Sequence, residues 1–213
     1  MKIIEVTGEP CAGKSYFLRG MGSESDVQVF KGLARLSDEG CRLISLILVT
    51  TDFVRALWSS SIGWANILWL FKASMGIEDN IFVKLNVFRN CVLKFYTYQV
   101  LTFHRGDKYK WGNPVFVDEG VSHIPFLFQN HRCKEVVLEE YFRRFSLVIS
   151  TLNVFLICTS ADTVERLVIR GHKRVSGRDI EYIRKFQARN RCISDFLKSK
   201  GDSFASFKVI TDA

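Results

Sequence analysis

The feature that most constrains this chain is the segment GEPCAGKS at residues 8–15. It fits the pattern G-x-x-x-x-G-K-[ST], a glycine loop that binds phosphate groups. A β-branched run precedes it at residues 2–7, and residues 16–19 follow it at helical spacing. Because the motif requires a strand, a loop and a helix in that order, the sequence predicts a phosphate-binding loop near its start.

Each fixed position of the motif has a chemical reason. Gly8 and Gly13 let the backbone turn its N–H groups toward a phosphate, and the helix beginning near Gly13 adds its positive end. Lys14 is predicted to place a cation on the terminal phosphates of ATP, and Ser15 to offer its hydroxyl to Mg²⁺. The other loop residues predicted to bind the nucleotide are Glu9, Pro10, Cys11, Ala12 and Tyr16.

Composition predicts one domain with an inserted segment. The 213 residues are 47% hydrophobic, which is ample for a sizeable core. A net charge of +8 suits an anionic ligand such as a nucleotide, and would also suit nucleic acid or an anionic membrane face. The basic residues concentrate late in the chain, which favours a local phosphate site, so no nucleic-acid partner is expected.

The sequence favours a cytoplasmic location. None of the 6 cysteines forms C-x-x-C or lies at zinc-ligand spacing with histidine, which indicates reduced thiols. The start of the chain does not resemble a signal peptide. The longest uncharged stretches, residues 56–71 and 145–161, are shorter than the about 20 residues of a spanning helix, so no transmembrane segment is expected.

The order of elements predicts an α/β fold. Strand-like runs at residues 1–7, 26–30, 114–118, 153–158 and 207–210 alternate with helical segments at 14–21, 131–145, 162–170 and 179–198. Such alternation predicts a mostly parallel sheet of about five strands, covered by helices on both faces. Residues 42–57 fit both a buried strand and a helix. We expect a helix for the second half, and the pattern does not decide the first half.

Residues 53–111 are dense in aromatic side chains at helical spacing, as in Phe88, Val92 and Phe95. We expect residues 38–111 to form a helical insertion on the acceptor side of the site. The aromatics either fill a helical core or line an acceptor pocket. Three tryptophans within residues 56–71 also permit a helix lying on a membrane surface, so peripheral membrane contact stays open.

A second chemical signal is the pair Asp118 and Glu119, which ends the hydrophobic run PVFV at residues 114–117. A carboxylate at the end of such a strand is where a magnesium-binding aspartate belongs beside a phosphate loop, so Asp118 is predicted to hold Mg²⁺. Glu119 would then lie near the terminal phosphate. It either deprotonates an acceptor hydroxyl or orients a water for hydrolysis.

Asp52 is a rival base. The segment TDFVR at residues 51–55 carries a D-x-x-R arrangement like that after the second strand of some small-molecule kinases, such as adenylyl-sulfate kinase. Asp52 keeps that role only if the preceding residues form a strand.

A third signal is a cluster of arginines after the strand-like run at residues 153–158. Arg166 and Arg170 share a helix face, and Arg174 and Arg178 extend the cluster along a loop. Arginines in this number can clamp phosphates and neutralise charge as a phosphoryl group moves. We therefore predict a short lid over residues 166–178.

Together these motifs resemble the nucleoside and nucleotide kinase group of P-loop proteins. The stretch from Glu165 to Arg178 is similar to the start of the adenylate kinase lid, E-R-I-V-x-R-R-x-H-x-x-S-G-R. The resemblance implies a P-loop NTPase fold with three α/β/α layers. It also implies that Arg166 and Arg170 touch the nucleotide and its phosphates.

The chain departs from adenylate kinases in two respects. It has no long lid insertion after S-G-R, and it lacks their G-F-P-R motif for the acceptor nucleotide. Its D-E-G strand end and bulky helical middle also look like P-loop proteins found with bacterial surface-polysaccharide genes. That second likeness suggests a sugar or glycan-related acceptor.

The sequence therefore predicts a Mg²⁺-dependent P-loop kinase. Lys14, Asp118, Glu119, Arg166 and Arg170 are its predicted catalytic residues, and it moves the γ-phosphoryl group of ATP to a small acceptor: a nucleoside, a nucleotide or a sugar. One alternative is an NTPase whose hydrolysis drives a partner, and another is a nucleotide-binding module without catalysis. The identity of the acceptor, the nucleobase preference and the oligomeric state are not predicted.

Overall fold

The structure is a computed structural model. It describes residues 3–22, 28–30, 54, 56, 58, 63–103, 114–159, 163–169, 175–200, 203 and 206–211.

Five strands form a single parallel sheet in the order β2-β3-β1-β4-β5. They are β1 (Ile3–Gly8), β2 (Gln28–Phe30), β3 (Val115–Asp118), β4 (Asn153–Cys158) and β5 (Ser206–Thr211). The predicted α/β fold with a mostly parallel sheet of about five strands is confirmed.

The central strand β1 lies between β3 and β4. Val6 of β1 is in register with Asp118, and Gly8 with Ile157 of β4. The carboxyl ends of parallel strands meet at one edge of a sheet. The glycine loop after β1 and the turn after β3 therefore leave the sheet side by side.

Eight helices are present in the described parts of the chain. They are α1 (Lys14–Gly22), α2 (Trp64–Met75), α3 (Ile81–Phe103), α4 (Ile124–Leu127), α5 (Lys134–Arg144), α6 (Ser146–Ile149), α7 (Val164–Ile169) and α8 (Ile180–Lys200). A 3-10 turn, Val121–His123, joins β3 to α4. The helix predicted over residues 131–145 begins three residues later, at Lys134. The helix predicted over residues 162–170 is described from Val164 to Ile169.

The sheet separates two apolar cores, because alternate residues of a strand point to opposite faces. On one face, Val115, Val117, Val154 and Leu156 pack in a cluster with residues of α2, α3, α5 and α8. On the other face, Ile4, Val6, Phe116 and Ile157 pack with Leu18 of α1. These two cores produce the three-layer α/β/α arrangement.

Part of the aromatic segment fills the larger core. The ring of Phe95 on α3 lies 4.5 Å from that of Phe145, and the ring of Trp69 on α2 lies 6.0 Å from the same residue. Other aromatics of the segment, Trp58, Trp64 and Phe82, are exposed instead. Among the described residues, none of the helices is both long and apolar enough to cross a membrane.

Candidate functional site

The glycine loop passes very close to β4. Gly8 has a φ of 144°, and a Cβ built on it would lie 2.1 Å from the main-chain oxygen of Ile157. Gly13 has a φ of 102°, and Cys11 adopts the left-handed region with a φ of 64°. The loop therefore needs glycine at position 8 for space as well as for conformation.

Lys14 folds back over this loop from the first turn of α1. Its ammonium donates hydrogen bonds to the main-chain oxygens of Gly8 (2.9 Å) and Glu9 (2.8 Å). The same ammonium lies 3.5 Å from Oε1 of Glu119. A buried cation is thus held at the loop, in contact with a carboxylate from the end of β3.

The turn after β3 supplies the two predicted acidic residues. Asp118 is buried at the end of β3, in register with a β1 residue two positions before Gly8. Glu119 has a φ of 57°, and its amide donates to the main-chain oxygen of Val6 at 3.0 Å. The structure therefore brings Lys14, Asp118 and Glu119 to one edge of the sheet.

The buried carboxylate of Glu5 on β1 holds the start of the segment after β3 by hydrogen bonds. Oε1 of Glu5 accepts a hydrogen bond from the amide of Val121 (3.0 Å), and Oε2 accepts one from the amide of Ser122 (2.6 Å). Burial raises the pKa of Glu5, and the hydrogen bonds from Ser122 and Val121 oppose that rise. A Cβ at Gly120 would lie 2.3 Å from Oε1 of Glu5, so only glycine leaves room for the carboxylate.

Lys94 reaches the same turn from α3. Its ammonium donates a hydrogen bond to the main-chain oxygen of Glu119. Burial lowers the pKa of Lys94, and the negative charges of Glu119 and Glu5 oppose that shift. Helix α3, which belongs to the aromatic segment, is therefore connected directly to the predicted base.

His123 borders Glu119 on its other side. Its Nδ1 lies 3.1 Å from the hydroxyl of Thr7, and its Nε2 lies 3.7 Å from Oε2 of Glu119. The imidazole ring stacks on Phe126, with ring centroids 5.0 Å apart. His123 is buried, so these contacts fix the orientation of its ring.

Sequence reasoning missed Glu5, Lys94 and His123. Glu5 carries a detectable signal, since it is a single charge within the otherwise uncharged strand IIEVTG. A carboxylate in a fully buried strand needs partners. Lys94 and His123 carry no comparable signal, because a helical lysine and a single histidine are common in any chain.

The phosphate loop also contacts α8. Glu9 is buried, and burial raises the pKa of its carboxyl, while the neighbouring Ser194 hydroxyl and the charge of Arg191 oppose that rise. Cys11 packs against an apolar cluster formed by Val164, Leu167, Val175, Ile183 and Phe186. The loop and the base of the predicted lid therefore share one packed cluster.

The predicted lid arginines are only partly described. Arg166 is exposed on α7, and Arg178 is exposed with its guanidinium 5.1 Å from the centre of the Tyr182 ring. Neither is joined to the phosphate loop by a hydrogen bond or ion pair within the described residues. Arg170, Arg174 and the rival base Asp52 lie outside those residues.

Between α7 and the start of α8 lies a cleft of about 330 Å³. Its walls are Leu167, Val168, Val175, Ser176, Gly177, Arg178, Ile180 and Ile183. The cleft shares Leu167, Val175 and Ile183 with the cluster that packs on Cys11.

The oxygen donors at this edge fit a magnesium ion. Mg²⁺ is usually held by one or two carboxylates together with substrate phosphates and waters. Asp118 is a carboxylate at this edge, and Ser15 offers an exposed hydroxyl oxygen on the first turn of α1. The described parts of the chain contain no group of three or more His, Cys, Asp or Glu side chains that could hold a metal ion by themselves.

Comparison with known proteins gives a limited result. No family model matches the chain, and no curated protein matches it significantly. Among solved structures, 16 chains are similar, including the deoxyadenosine kinase from M. mycoides solved with bound dATP. That match has 13% identity and a TM-score of 0.48, and covers 99% of this chain and 91% of the other. A likeness at this level does not identify an activity.

Proposed function

We propose that the protein is a P-loop phosphotransferase that moves the γ-phosphoryl group of ATP to a small acceptor bearing a hydroxyl or a phosphate. The observation that carries the proposal is the contact of Lys14 with Glu119, 3.5 Å apart at the phosphate loop. A cation for the transferred phosphate and a carboxylate for the acceptor proton thus lie side by side. Asp118 ends the neighbouring strand beside them.

Lys14 acts as the phosphate-binding cation. An ammonium has three donors, and two of them are held by the carbonyls of Gly8 and Glu9. These bonds fix its position over the loop, whose backbone amides and helix end favour an anion. Residues 9–13, Ser15 and Tyr16 complete the predicted nucleotide contacts.

Ser15 and Asp118 would hold Mg²⁺. The ion supplies positive charge at the phosphate oxygens, where negative charge accumulates during transfer. Asp118 is suited to this role because the buried end of a strand fixes its position.

Glu119 is the proposed general base. Its carboxylate takes the proton of the acceptor hydroxyl as that oxygen bonds to the γ-phosphorus, and the bond to the leaving ADP oxygen breaks with its electron pair. The hydrogen bond from Lys94 and the bond from the Glu119 amide to Val6 hold the residue in its left-handed conformation. Asp52 remains the alternative base.

Arg166, Arg170, Arg174 and Arg178 form the proposed lid. Four guanidinium groups over the donor would neutralise charge, and closure of such a lid keeps water from accepting the phosphoryl group. The packing of Cys11 on the base of this region supports a link between loop and lid.

The acceptor is proposed to bind on the side of residues 38–111. Support comes from Lys94, because it places α3 in contact with the turn that carries Glu119. Nucleosides, nucleotides and sugars are all within the proposed acceptor class.

The test is a screen of those three classes for acceptor-stimulated release of ADP from ATP with Mg²⁺. Substitution of Lys14→Ala, Asp118→Asn or Glu119→Gln should lower the stimulated rate, with a loss of about 10²–10⁴-fold expected for the base. Lys185→Ala, at an exposed lysine of α8, is the matched control and should keep the wild-type rate.

The alternative function, ATP hydrolysis that drives a partner, uses the same Glu119 to orient water. Rapid turnover with ATP alone, unchanged by any acceptor, would replace the kinase proposal with this one. ATP binding without turnover under either condition would leave a nucleotide-binding module.

A further inference from the structure

Helices α2 and α3 form a hairpin with one buried side and one exposed apolar side. Ile67, Leu70 and Ala73 of α2 are buried, as are Val87 and Cys91 of α3. The opposite side carries a set of large apolar side chains that we call the hairpin patch: Trp58, Trp64, Leu68, Phe71, Phe82 and Leu85. Such a face is unusual, because large apolar side chains on a surface helix normally face a core.

The first half of the patch is one stripe. Trp64, Leu68 and Phe71 are spaced i, i+4, i+7, so they lie on a single face of α2. The ring of Trp58 meets that of Trp64 edge to face, with centroids 6.3 Å apart. The stripe therefore runs along α2 from Trp64 to Phe71, and Trp58, which precedes the helix, extends it at the Trp64 end.

The second half continues on α3. The ring of Phe71 meets that of Phe88 edge to face at 5.3 Å. Leu85 precedes Phe88 by three residues and Phe82 precedes Leu85 by three, so each side chain lies beside the next on the surface of α3. The patch is therefore continuous across both helices.

Its exposed area is large for a monomer. Trp58 is 79% exposed and Phe82 is 81% exposed, while the other four members range from 39% to 58%. With about 200 Å² for an aromatic side chain, the patch presents roughly 700 Å² of apolar surface. The largest patch on a typical monomer is about 300–600 Å². One side of a standard protein interface buries about 800 Å².

The charges around the patch distinguish between possible occupants. Charged residues of both signs lie close to the patch in sequence: Lys72 on α2, Glu78 and Asp79 in the turn between the helices, and Lys84 and Arg89 on α3. Glu78 is also paired with Arg132 at 3.2 Å. Helices that bind membrane surfaces carry a polar face rich in lysine and arginine, and acidic residues beside the patch would disfavour an anionic lipid surface. A border with both signs is complementary to itself.

We propose that the hairpin patch is the interface of a symmetric dimer, covered by the same patch of a second copy of this chain. In a two-fold interface the same residues of both subunits meet, which suits a patch that is apolar at its centre and mixed in charge at its rim. The proposal does not depend on the kinase function, because none of the six patch residues is a proposed phosphate-, magnesium- or proton-binding residue. The patch does lie within residues 38–111, the segment proposed for the acceptor side.

The test is the mass of the protein in solution, measured by light scattering coupled to size-exclusion chromatography over a range of micromolar concentrations. The wild-type chain should show twice the mass of one chain. Trp64→Asp and Phe82→Asp should each shift it to one chain mass, without unfolding, because both side chains are exposed. Leu147→Asp is the matched control, since Leu147 is 85% exposed on α6, outside the patch, and this variant should stay dimeric.

Three outcomes overturn the proposal. A wild-type monomer at every concentration that binds vesicles containing anionic lipid would assign the patch to a membrane. A monomer that binds no vesicles, with its tryptophan fluorescence protected from a soluble quencher, would assign the cover to the chain's own residues 31–53. A dimer that persists in both patch variants would place the interface elsewhere.

Discussion

The ammonium of Lys94 hydrogen-bonds to the main-chain oxygen of Glu119, and this bond ties helix α3 to the turn that ends β3. Glu119 adopts the left-handed region, which is uncommon for a residue other than glycine. A conformation of this kind persists when its surroundings hold it. Lys94, together with the bond from the Glu119 amide to Val6, supplies that hold.

We expect Lys94→Met to lower kcat of the proposed transfer by about tenfold or more, because a small displacement of a catalytic group carries a loss of that order. The affinity for ATP should change little, since the phosphate loop and Lys14 are retained. Steady-state kinetics for both substrates, with ATP binding measured separately, would check the split between kcat and KM. Lys94→Arg should recover part of the rate, because it keeps a donor at that position.

Lys84→Met is the matched control for Lys94, as it removes another lysine from the same helix. It should leave kcat unchanged. If Lys94→Met lowered the affinity for ATP and kcat by the same factor, the positioning role of Lys94 would be contradicted, and the effect would be a general loss of structure. A thermal unfolding curve for each variant would show that directly.

The contact between Gly120 and Glu5 leads to a second prediction. Gly120→Ala should destabilise the protein by about 1–3 kcal/mol, because its Cβ would displace a buried carboxylate that holds two backbone amides. Gly20→Ala is the control, since nothing lies within 4 Å of a Cβ there, and alanine in helix α1 should stabilise by up to about 1 kcal/mol. Urea unfolding measures both, and equal effects at the two glycines would contradict the steric argument.

The parts of the site that follow local rules could be predicted from the sequence. The phosphate loop is a short motif whose glycines and lysine act through neighbouring backbone, so its position followed from residues 8–15. The placement of Asp118 and Glu119 followed from the hydrophobic run before them and from the rule that parallel strands end at one edge. The catalytic and metal-binding roles of these residues stay predictions.

The remaining contacts could not be predicted, because they join residues far apart in sequence. Glu5 meets the amides of Val121 and Ser122 across 116 and 117 positions, and Thr7 meets His123 across 116. Pairing of this kind depends on how β1 and β3 lie in the sheet. Residues 42–57, whose pattern fits both strand and helix, are described only at positions 54 and 56, so that ambiguity stays.

A third prediction compares two glycines with positive φ: Gly8, where a Cβ would also clash, and Gly177, where it would not. Gly8→Ala should abolish ATP binding and lower the free energy of unfolding, because the new Cβ would lie 2.1 Å from the oxygen of Ile157 at a φ of 144°. Gly177 also has a positive φ, 73°, but this is the left-handed region that alanine adopts at a modest cost, and there is open space around its Cβ. Gly177→Ala should cost about 1 kcal/mol and leave the loop intact. Calorimetric titration with ATP measures binding in the two variants, and urea unfolding measures their stability. Retained ATP binding in Gly8→Ala would contradict the close approach of the loop to β4.

A fourth prediction concerns Glu9 and pH. Burial raises the pKa of Glu9 above its usual value of 4.5, so the folded protein binds this proton more tightly than the unfolded chain. The stability that the protonated carboxyl provides is fully present below the unfolded pKa, and it is lost as pH rises through the folded pKa. Glutamine mimics the protonated form at every pH. Glu9→Gln should therefore match the wild type near pH 4 and become the more stable protein as pH rises toward neutrality, with urea unfolding across that range as the measurement.

Glu165→Gln is the matched control for Glu9, because Glu165 is exposed on α7. Its free energy of unfolding should stay within about 0.5 kcal/mol of the wild type across the same pH range, as for most surface substitutions. A difference between Glu9→Gln and wild type that is flat with pH would mean that Ser194 and Arg191 fully offset the burial of the carboxylate. A difference that grows in the opposite direction would mean that they stabilise the ionised form, and Glu9 would then act as a charged anchor between the phosphate loop and α8.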